Sequence, residues 1–240
     1  MSNSTELLKG KKVIIIGGSS GLGRSLAAAS LAHGASVVIA SSSQEKVNVA
    51  IDRLKQEVIS NVTLTGQAVN LKDFTGLKAF LTKEAPFDHF VITAGDVSGN
   101  FNFPEQEIDP EKDIKGYFDV RYWATVIAAQ HIYKNKLINP GGSIIQTIGA
   151  SYYRPPPGWG LISGLVGAVE STTRGLAIDL KPIRVNTICP GIVDTEFYDA
   201  FSADAKERLF KPRRENLPVG HIGTPDEIAE AYIFAMKLPD

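Results

Sequence analysis

The chain of 240 residues lacks the features that mark secreted, membrane and nucleic-acid-binding proteins. Its single cysteine, Cys189, cannot form an internal disulfide, which excludes a disulfide-stapled scaffold and fits a reducing compartment. The 25 Lys and Arg residues are balanced by 26 Asp and Glu residues without a basic run, so nothing favours a nucleic-acid or anionic-membrane partner. Apolar runs stop short of the roughly 20 residues of a membrane span, and Met1–Lys9 has no signal-peptide core. We therefore expect a soluble, cytoplasmic protein.

Metal-ligand clusters, internal repeats and linkers are also missing. The histidines are scattered at positions 33, 89, 131 and 221, without the spacing of a metal site, so no metal is expected. No repeat period and no low-complexity segment divides the chain. We expect one domain over residues 1–240.

Short apolar runs alternate along the chain with helical patterns. The run Val13–Ile16 is β-branched and uninterrupted by polar residues, as in a central parallel strand buried on both faces. Strands that alternate with helices require right-handed crossovers and a sheet covered on both faces. This order predicts an α/β fold: a Rossmann-type, doubly wound parallel sheet with three layers and six strands. The predicted strands are Val13–Ile16, Ser36–Ala40, Val62–Val69, His89–Thr93, Gly142–Ile148 and Arg184–Ile188.

The periodicity of apolar residues predicts the connecting helices. Ser20 stands where it can cap the first helix, which ends near Gly34. Two segments, Tyr152–Trp159 and Pro190–Leu217, are predicted to be irregular. Both follow the carboxyl end of a predicted strand, where open α/β sheets bind ligands. The other predicted helices are Gln44–Ser60, Asp73–Ala85, Asp109–Lys136, Leu161–Leu180 and Pro225–Met236.

A glycine-rich turn, Gly17–Gly23, joins the first strand to the first helix. Its backbone N–H groups can hold a pyrophosphate at the positive end of that helix, which predicts nucleotide binding. The spacing from Gly18 to Ser25 also fits a P-loop with Arg24 in the lysine position. Because Arg is not equivalent to that Lys, and no apolar strand ends in an Asp for magnesium, a phosphoryl-transfer enzyme is disfavoured.

The joint order of four motifs resembles the short-chain dehydrogenase/reductase family. The glycine turn is followed by Ala94-Gly95, by Ile183–Asn186 and by Pro190-Gly191 with Thr195, and the resemblance runs from Lys11 to about Met236. It implies a nicotinamide-dinucleotide site and a small-molecule substrate. The cofactor-binding residues that it implies are Gly17, Ser19, Ser20, Gly21, Leu22, Gly23, Asn70, Ala94, Gly95, Pro190, Gly191, Val193 and Thr195.

The end of the second predicted strand bears on the choice between NADP and NAD. It reads Ala40-Ser41-Ser42-Ser43 and lacks the acidic residue that usually binds a free ribose 2′-hydroxyl. Ser41 and Ser42 can donate to a 2′-phosphate, and Arg24 or Lys46 could reach it, so NADP is favoured and NAD is possible. Alternatively, the serines only cap the next helix.

All four catalytic positions implied by the resemblance are substituted. Gly149, Ile162 and Val166 replace the family's Ser, Tyr and Lys, and Arg121 replaces its Asn. No Lys occurs between Lys136 and Lys181, so no other register restores the Tyr and Lys pair.

Other residues are candidates for the missing chemistry. Ser151 and Tyr153 follow the fifth predicted strand and could supply a proton, while Arg121 could bind a substrate anion. The alternatives are a packing or lid aromatic for Tyr153 and a surface ion pair for Arg121. For Cys189, a small buried residue is favoured over a nucleophile.

Two functions therefore compete. One is an NADP-dependent oxidoreductase that reduces a small carbonyl compound with a non-standard proton donor. The other is a catalytically degenerate nucleotide-binding regulator or scaffold. The resemblance further implies a homodimer or homotetramer through Asp109–Lys136 and Leu161–Leu180, and a sheet without the family's last strand.

Overall fold

The computed structural model describes residues 8–58, 61–95 and 103–237. Its centre is a sheet of six parallel strands in the order β3-β2-β1-β4-β5-β6, which confirms the predicted doubly wound fold. Strand β4 is buried along its whole length, as a central strand should be. The strands are β1 Lys12–Ile16, β2 Ser36–Ser41, β3 Leu64–Ala68, β4 Phe87–Ile92, β5 Ile138–Thr147 and β6 Arg184–Ile188.

Helices cover both faces of the sheet. Along β1 the side chains alternate between two cores, with Ile14 and Ile16 in one and Val13 and Ile15 in the other. The first core is closed by α3, α5 and the end of α6, and the second by α1, α2 and α8. The helices are α1 Gly21–Ala32, α2 Gln44–Glu57, α3 Phe74–Glu84, α4 Lys115–Phe118, α5 Ala124–Lys134, α6 Gly160–Asp179, α7 Ala203–Asn216 and α8 Pro225–Lys237.

The carboxyl ends of the central strands lie at one level. Ile16 pairs with Ala40 on one side and with Ile92 on the other, so the loops after β1, β2 and β4 meet at one edge. Thr147 pairs with Ile188, which places the loops after β5 and β6 at that edge too. The order of the strands reverses between β1 and β4, which is where such folds bind ligands.

The prediction of an irregular segment at Pro190–Leu217 is wrong. The segment contains a 3₁₀ turn, Glu196–Ala200, followed by α7. Ser202 starts α7 by accepting a hydrogen bond from the N–H of Ala205 at 3.3 Å, and Phe210 is buried against the ring of Tyr198. A capped helix with a buried anchor therefore forms although Pro212 lies inside it.

Smaller differences concern element boundaries. The predicted helix Asp109–Lys136 is helical but includes two π-helical stretches, Pro110–Ile114 and Asp119–Trp123, around α4. β5 begins at Ile138, four residues before its predicted start, with a register shift against β4. Helix α2 ends at Glu57, and the last two residues of its predicted range, 59–60, lie outside the described residues.

Candidate dinucleotide and active site

The glycine turn is closed by backbone contacts that leave no room for a side chain at Gly17 or Gly23. The N–H groups of Gly17 and Gly18 both donate to the carbonyl of Ala40, at 2.7 and 3.2 Å. Gly17 has a φ of +93°, which favours glycine. A Cβ on Gly23 would lie 2.6 Å from Thr93 Oγ1 and 2.7 Å from the carbonyl carbon of Gly17. The turn and the start of α1 therefore pack backbone against backbone.

The end of β4 is tied to the same turn. The N–H groups of Thr93 and Ala94 donate to the carbonyl of Ile16 at 2.9 and 3.1 Å. A Cβ on Gly17 would lie 2.6 Å from the nitrogen of Ala94. These bonds bring Ala94 and Gly95, which the resemblance places at the adenosine ribose, beside the glycine turn.

Hydroxyl groups line the other side of the turn. Ser19 Oγ donates to Ser41 Oγ at 2.9 Å, so the two serines from the turn and β2 lie together. Ser43 accepts from the N–H of Lys46 and caps α2, as the alternative interpretation of the serines predicts. Asn70, after β3, accepts from the N–H of Lys72 at 3.0 Å.

Arg24 does not face these serines. Its guanidinium binds Glu57 at 2.6 Å and Glu196 at 3.1 Å, and its side chain is mostly buried. The suggestion that Arg24 reaches a 2′-phosphate therefore has no support in this arrangement.

The carboxylate of Glu196, which the sequence analysis did not assign to the site, lies at the first turn of α1. Glu196 Oε2 accepts a hydrogen bond from the N–H of Gly21 at 2.7 Å. Ser20 occupies the N-cap position but makes no side-chain capping bond, so its predicted capping role is wrong. Burial raises the pKa of the Glu196 carboxyl, but bonds from its own N–H, Gly21 and Arg24 outweigh burial and hold the pKa below its usual value. Glu196 is therefore an anion at neutral pH.

The loops after β5 and β6 meet over this edge of the sheet. The N–H of Ala150 donates to the carbonyl of Pro190 at 2.9 Å. Val193 forms a parallel bridge with Gly223, and Thr195 Cγ2 would lie 3.4 Å from a Cβ on Gly21. Residues from Pro190 to Thr195 thus run from the β5 loop to the glycine turn, as a dinucleotide site would require. A Cβ added to Gly191, within this run, would meet none of the described atoms within 4 Å.

An apolar cluster surrounds the positions that the resemblance assigns to the family's Tyr and Lys. Ile162 and Val166 are each 5% exposed, and Val166 packs with Ile148 and Val169. The ring of Tyr152 joins this cluster and would lie 3.1 Å from a Cβ on Gly167. In this cluster the described hydroxyl groups belong to Tyr122 and Tyr152, which lie outside α6. Ile162 and Val166 themselves carry no group that could transfer a proton.

Arg121 lies against the end of β4. Its Nη2 donates to the carbonyl of Gly95 at 2.9 Å. A Cβ on Gly95 would lie 2.5 Å from Arg121 Nε, so the guanidinium packs directly on the glycine. This contact places a cation at the border between the glycine turn and the predicted catalytic region.

Ser151 and Tyr153 lie in different surroundings. Ser151 Oγ would lie 3.5 Å from a Cβ on Gly149, which the resemblance assigns to the family's Ser. Its hydroxyl therefore lies within van der Waals contact of a side chain at 149. Tyr153 is 67% exposed, and its ring contacts that of Tyr152 with centroids 4.7 Å apart.

The surroundings of Cys189 and His89 indicate structural roles for both residues. Cys189 packs beside the apolar cluster, and burial together with the charge of Glu170 raises the pKa of its thiol, so it is a poor nucleophile. His89 is buried and bonded to Ser143 at 2.9 Å. The part of the chain that the structure describes has no group of three potential metal ligands. Over the same residues, no helix has the length and apolarity to cross a membrane.

Comparison with known proteins agrees with this architecture. The family model for the SDR-like Rossmann domain matches residues 5–239. A short-chain dehydrogenase/reductase of Malbranchea aurantiaca, malC, is 33% identical over 243 residues, which cover 98% of this chain and 91% of malC. The solved structure of the MalC reductase/Diels-Alderase superposes with a TM-score of 0.90 at 31% identity, over 99% of this chain and 94% of MalC. A small-chain dehydrogenase in complex with NADPH has a TM-score of 0.71 at 26% identity, over 96% of this chain and 93% of its own. The chain therefore belongs to the short-chain dehydrogenase/reductase family.

Proposed function

We propose that the protein is an NADP-dependent oxidoreductase that reduces a small carbonyl compound with a proton donor other than the family's Tyr and Lys. The observation that carries the proposal is the close-packed glycine turn, Gly17–Gly23, beneath the ends of β1 and β4. A turn in which a Cβ on Gly23 would meet the Gly17 carbonyl packs α1 closely against the end of β1, as in dinucleotide-binding turns, which hold a pyrophosphate at the amino end of this helix. The relative solved with NADPH supports the choice of cofactor.

The residues around the turn fit the parts of this cofactor. The N–H groups of the turn would hold the pyrophosphate, and the Ser19 and Ser41 hydroxyls would donate to a 2′-phosphate. Ala94 and Gly95 would line the adenosine ribose, and Thr195 would hold the nicotinamide end. When bound, NADPH would supply the hydride for reduction.

The proton must then come from a neutral group. A phenol without a neighbouring ammonium has a pKa near 10 and is protonated at neutral pH, so it can donate a proton but accepts one poorly. Ser151, close to the space of a serine at 149, would orient the carbonyl, and Tyr153 on the same loop would donate. Arg121 would provide the local positive charge. Reduction is therefore favoured over oxidation of an alcohol.

Cofactor binding followed by turnover tests this function. NADPH and NADH are titrated by fluorescence, and NADPH consumption is then followed with a panel of aldehydes and ketones. With an active substrate, Tyr153→Phe should lower the rate by about a hundredfold, the scale of one general acid. Tyr133→Phe, at an exposed position of α5, is the matched control and should leave the rate unchanged. Unchanged rates for both Tyr153→Phe and Ser151→Ala would refute the assignment of these donors.

The apolar cluster favours a second function, nucleotide binding without turnover. Ile162 and Val166, which the resemblance assigns to the family's Tyr and Lys, are buried. Tight NADPH binding without consumption on any substrate would support this function. In that case, activity created by Ile162→Tyr together with Val166→Lys would indicate that only the proton relay has been lost.

A further inference from the structure

We propose that Glu196 sets the affinity for the dinucleotide by competing with its pyrophosphate for the amino end of α1. This inference rests on the proposed function, because it concerns the same cofactor. It assigns to Glu196, at the start of the 3₁₀ turn after β6, an inhibitory contact that cofactor binding must break.

The geometry joins two distant parts of the chain at the pyrophosphate position. Glu196 Oε2 lies 2.7 Å from the nitrogen of Gly21, which is the first residue of α1. Its other oxygen, Oε1, accepts from Arg24 Nε at 3.1 Å. The carboxylate therefore spans the first turn of α1, from a residue that is 175 positions away from Gly21 in the chain.

The chemistry of this contact is that of an anion site. The first N–H groups of a helix have no partner inside the helix, and its amino end carries partial positive charge. Glu196 is the group that satisfies the Gly21 N–H, and Ser20 makes no side-chain bond to the N–H groups that follow. A pyrophosphate at the same place needs the same donors and carries the same sign of charge. The two anions therefore exclude one another.

The loop that carries Glu196 is affected by this competition. Thr195, the preceding residue, is proposed to hold the nicotinamide end, and Phe197 and Tyr198 follow in the same turn. Displacing the carboxylate from Gly21 frees the start of this turn from α1. Cofactor binding would thus precede the final placement of the turn.

NADPH titration of Glu196→Gln is the direct test. Glutamine keeps the size of the side chain but loses the charge, so the variant should bind NADPH about tenfold more tightly, the scale of one hydrogen bond to a charged group. Glu196→Ala, which also removes the acceptor, should tighten binding at least as much. Without NADPH, Glu196→Ala should melt at a lower temperature than the wild type, because the Gly21 N–H loses its partner. Glu196→Gln should lose less, because its amide oxygen can still accept this hydrogen bond.

Two controls separate competition from a general change in charge. Glu57→Gln removes the other carboxylate on Arg24 and makes the same change in net charge, yet it leaves Glu196 on Gly21. It should change NADPH affinity less than twofold. Adenosine 2′-monophosphate has no pyrophosphate, so its affinity should be equal for the wild type and Glu196→Gln.

The outcomes distinguish this inference from the proposed function. Tighter NADPH binding by the Glu196 variants alone, or binding by them where the wild type shows none, supports it. Wild-type affinity in folded Glu196→Gln and Glu196→Ala, or equal tightening in Glu57→Gln, overturns it and leaves the proposed function standing. Absence of NADPH and NADH binding in all variants overturns both.

Discussion

Replacing one glycine of α1 tests whether the turn is as closely packed as its contacts indicate. In a helix, Gly→Ala ordinarily stabilises a protein by up to about 1 kcal/mol. At Gly23 the added Cβ would lie 2.6 Å from Thr93 Oγ1 and also press on the Gly17 carbonyl, which is backbone and cannot rotate away. Overpacking of this kind costs roughly 1–3 kcal/mol, so we expect Gly23→Ala to lose about 2 kcal/mol of unfolding free energy. Urea denaturation followed by circular dichroism measures this loss.

The melting temperature and cofactor affinity should change together. For a domain of this size, 1 kcal/mol shifts Tm by roughly 2–4 °C, so Gly23→Ala should lower Tm by about 4–8 °C. Moving the Gly17 carbonyl also displaces the N–H groups of the turn, so NADPH affinity should fall.

A second glycine provides the matched control. Gly175 lies in α6 and is exposed, and a Cβ placed there would have no described atom within 4 Å. Gly175→Ala should therefore keep the intrinsic gain of up to about 1 kcal/mol and leave NADPH affinity unchanged. If Gly23→Ala matched Gly175→Ala in stability and affinity, the argument from close approach at the turn would be refuted.

Two further predictions concern acid stability and assembly. Burial lowers the pKa of His89 from 6.5 to about 4. As pH falls, the imidazole is therefore protonated in the unfolded chain before it is protonated in the folded protein. The free energy of unfolding should fall by roughly 3 kcal/mol between pH 6.5 and pH 4. His89→Gln should remove that slope in urea titrations across this range, whereas exposed His221→Gln should retain it. We also expect a homodimer or homotetramer through Asp109–Lys136 and Leu161–Leu180, because Trp123 and Ile178 in these segments are exposed. A monomer mass in light scattering at micromolar concentration would contradict this expectation.

The parts of the fold that were predicted from sequence have local signals. The β-branched run before Gly17 and the repeated alternation of strands and helices are each encoded within a few neighbouring residues. The two π-helical stretches around α4 have no such signal, because their pattern of apolar residues is that of an ordinary helix. Helix α7 was missed although Ser202 is a capping residue, because the Pro inside it and the polar composition suggest a loop.

The candidate site also has one part with a local sequence signal and one part without it. The glycine turn is contiguous in sequence and was predicted, whereas the bond from Glu196 to Gly21 spans 175 positions and depends on where the loop after β6 comes to lie. The one available signal was an acidic residue directly after Thr195, at a place where the resemblance implies a cofactor. Without the strand order, that residue has no reason to be assigned to the first helix.

The positions that the resemblance assigns to catalysis show what the sequence could and could not predict about the site. The missing Lys was visible in sequence, since none lies between Lys136 and Lys181, but what fills its space was not. Gly167, next to Val166, leaves room for the ring of Tyr152 on α6, so Tyr152 closes the apolar cluster. That packing holds the 3₁₀ turn Ala150–Tyr152 in the position where Ser151 Oγ approaches the space beside Gly149. Tyr152 therefore both packs on the apolar cluster beside Val166 and positions the hydroxyl that the proposed reduction would use.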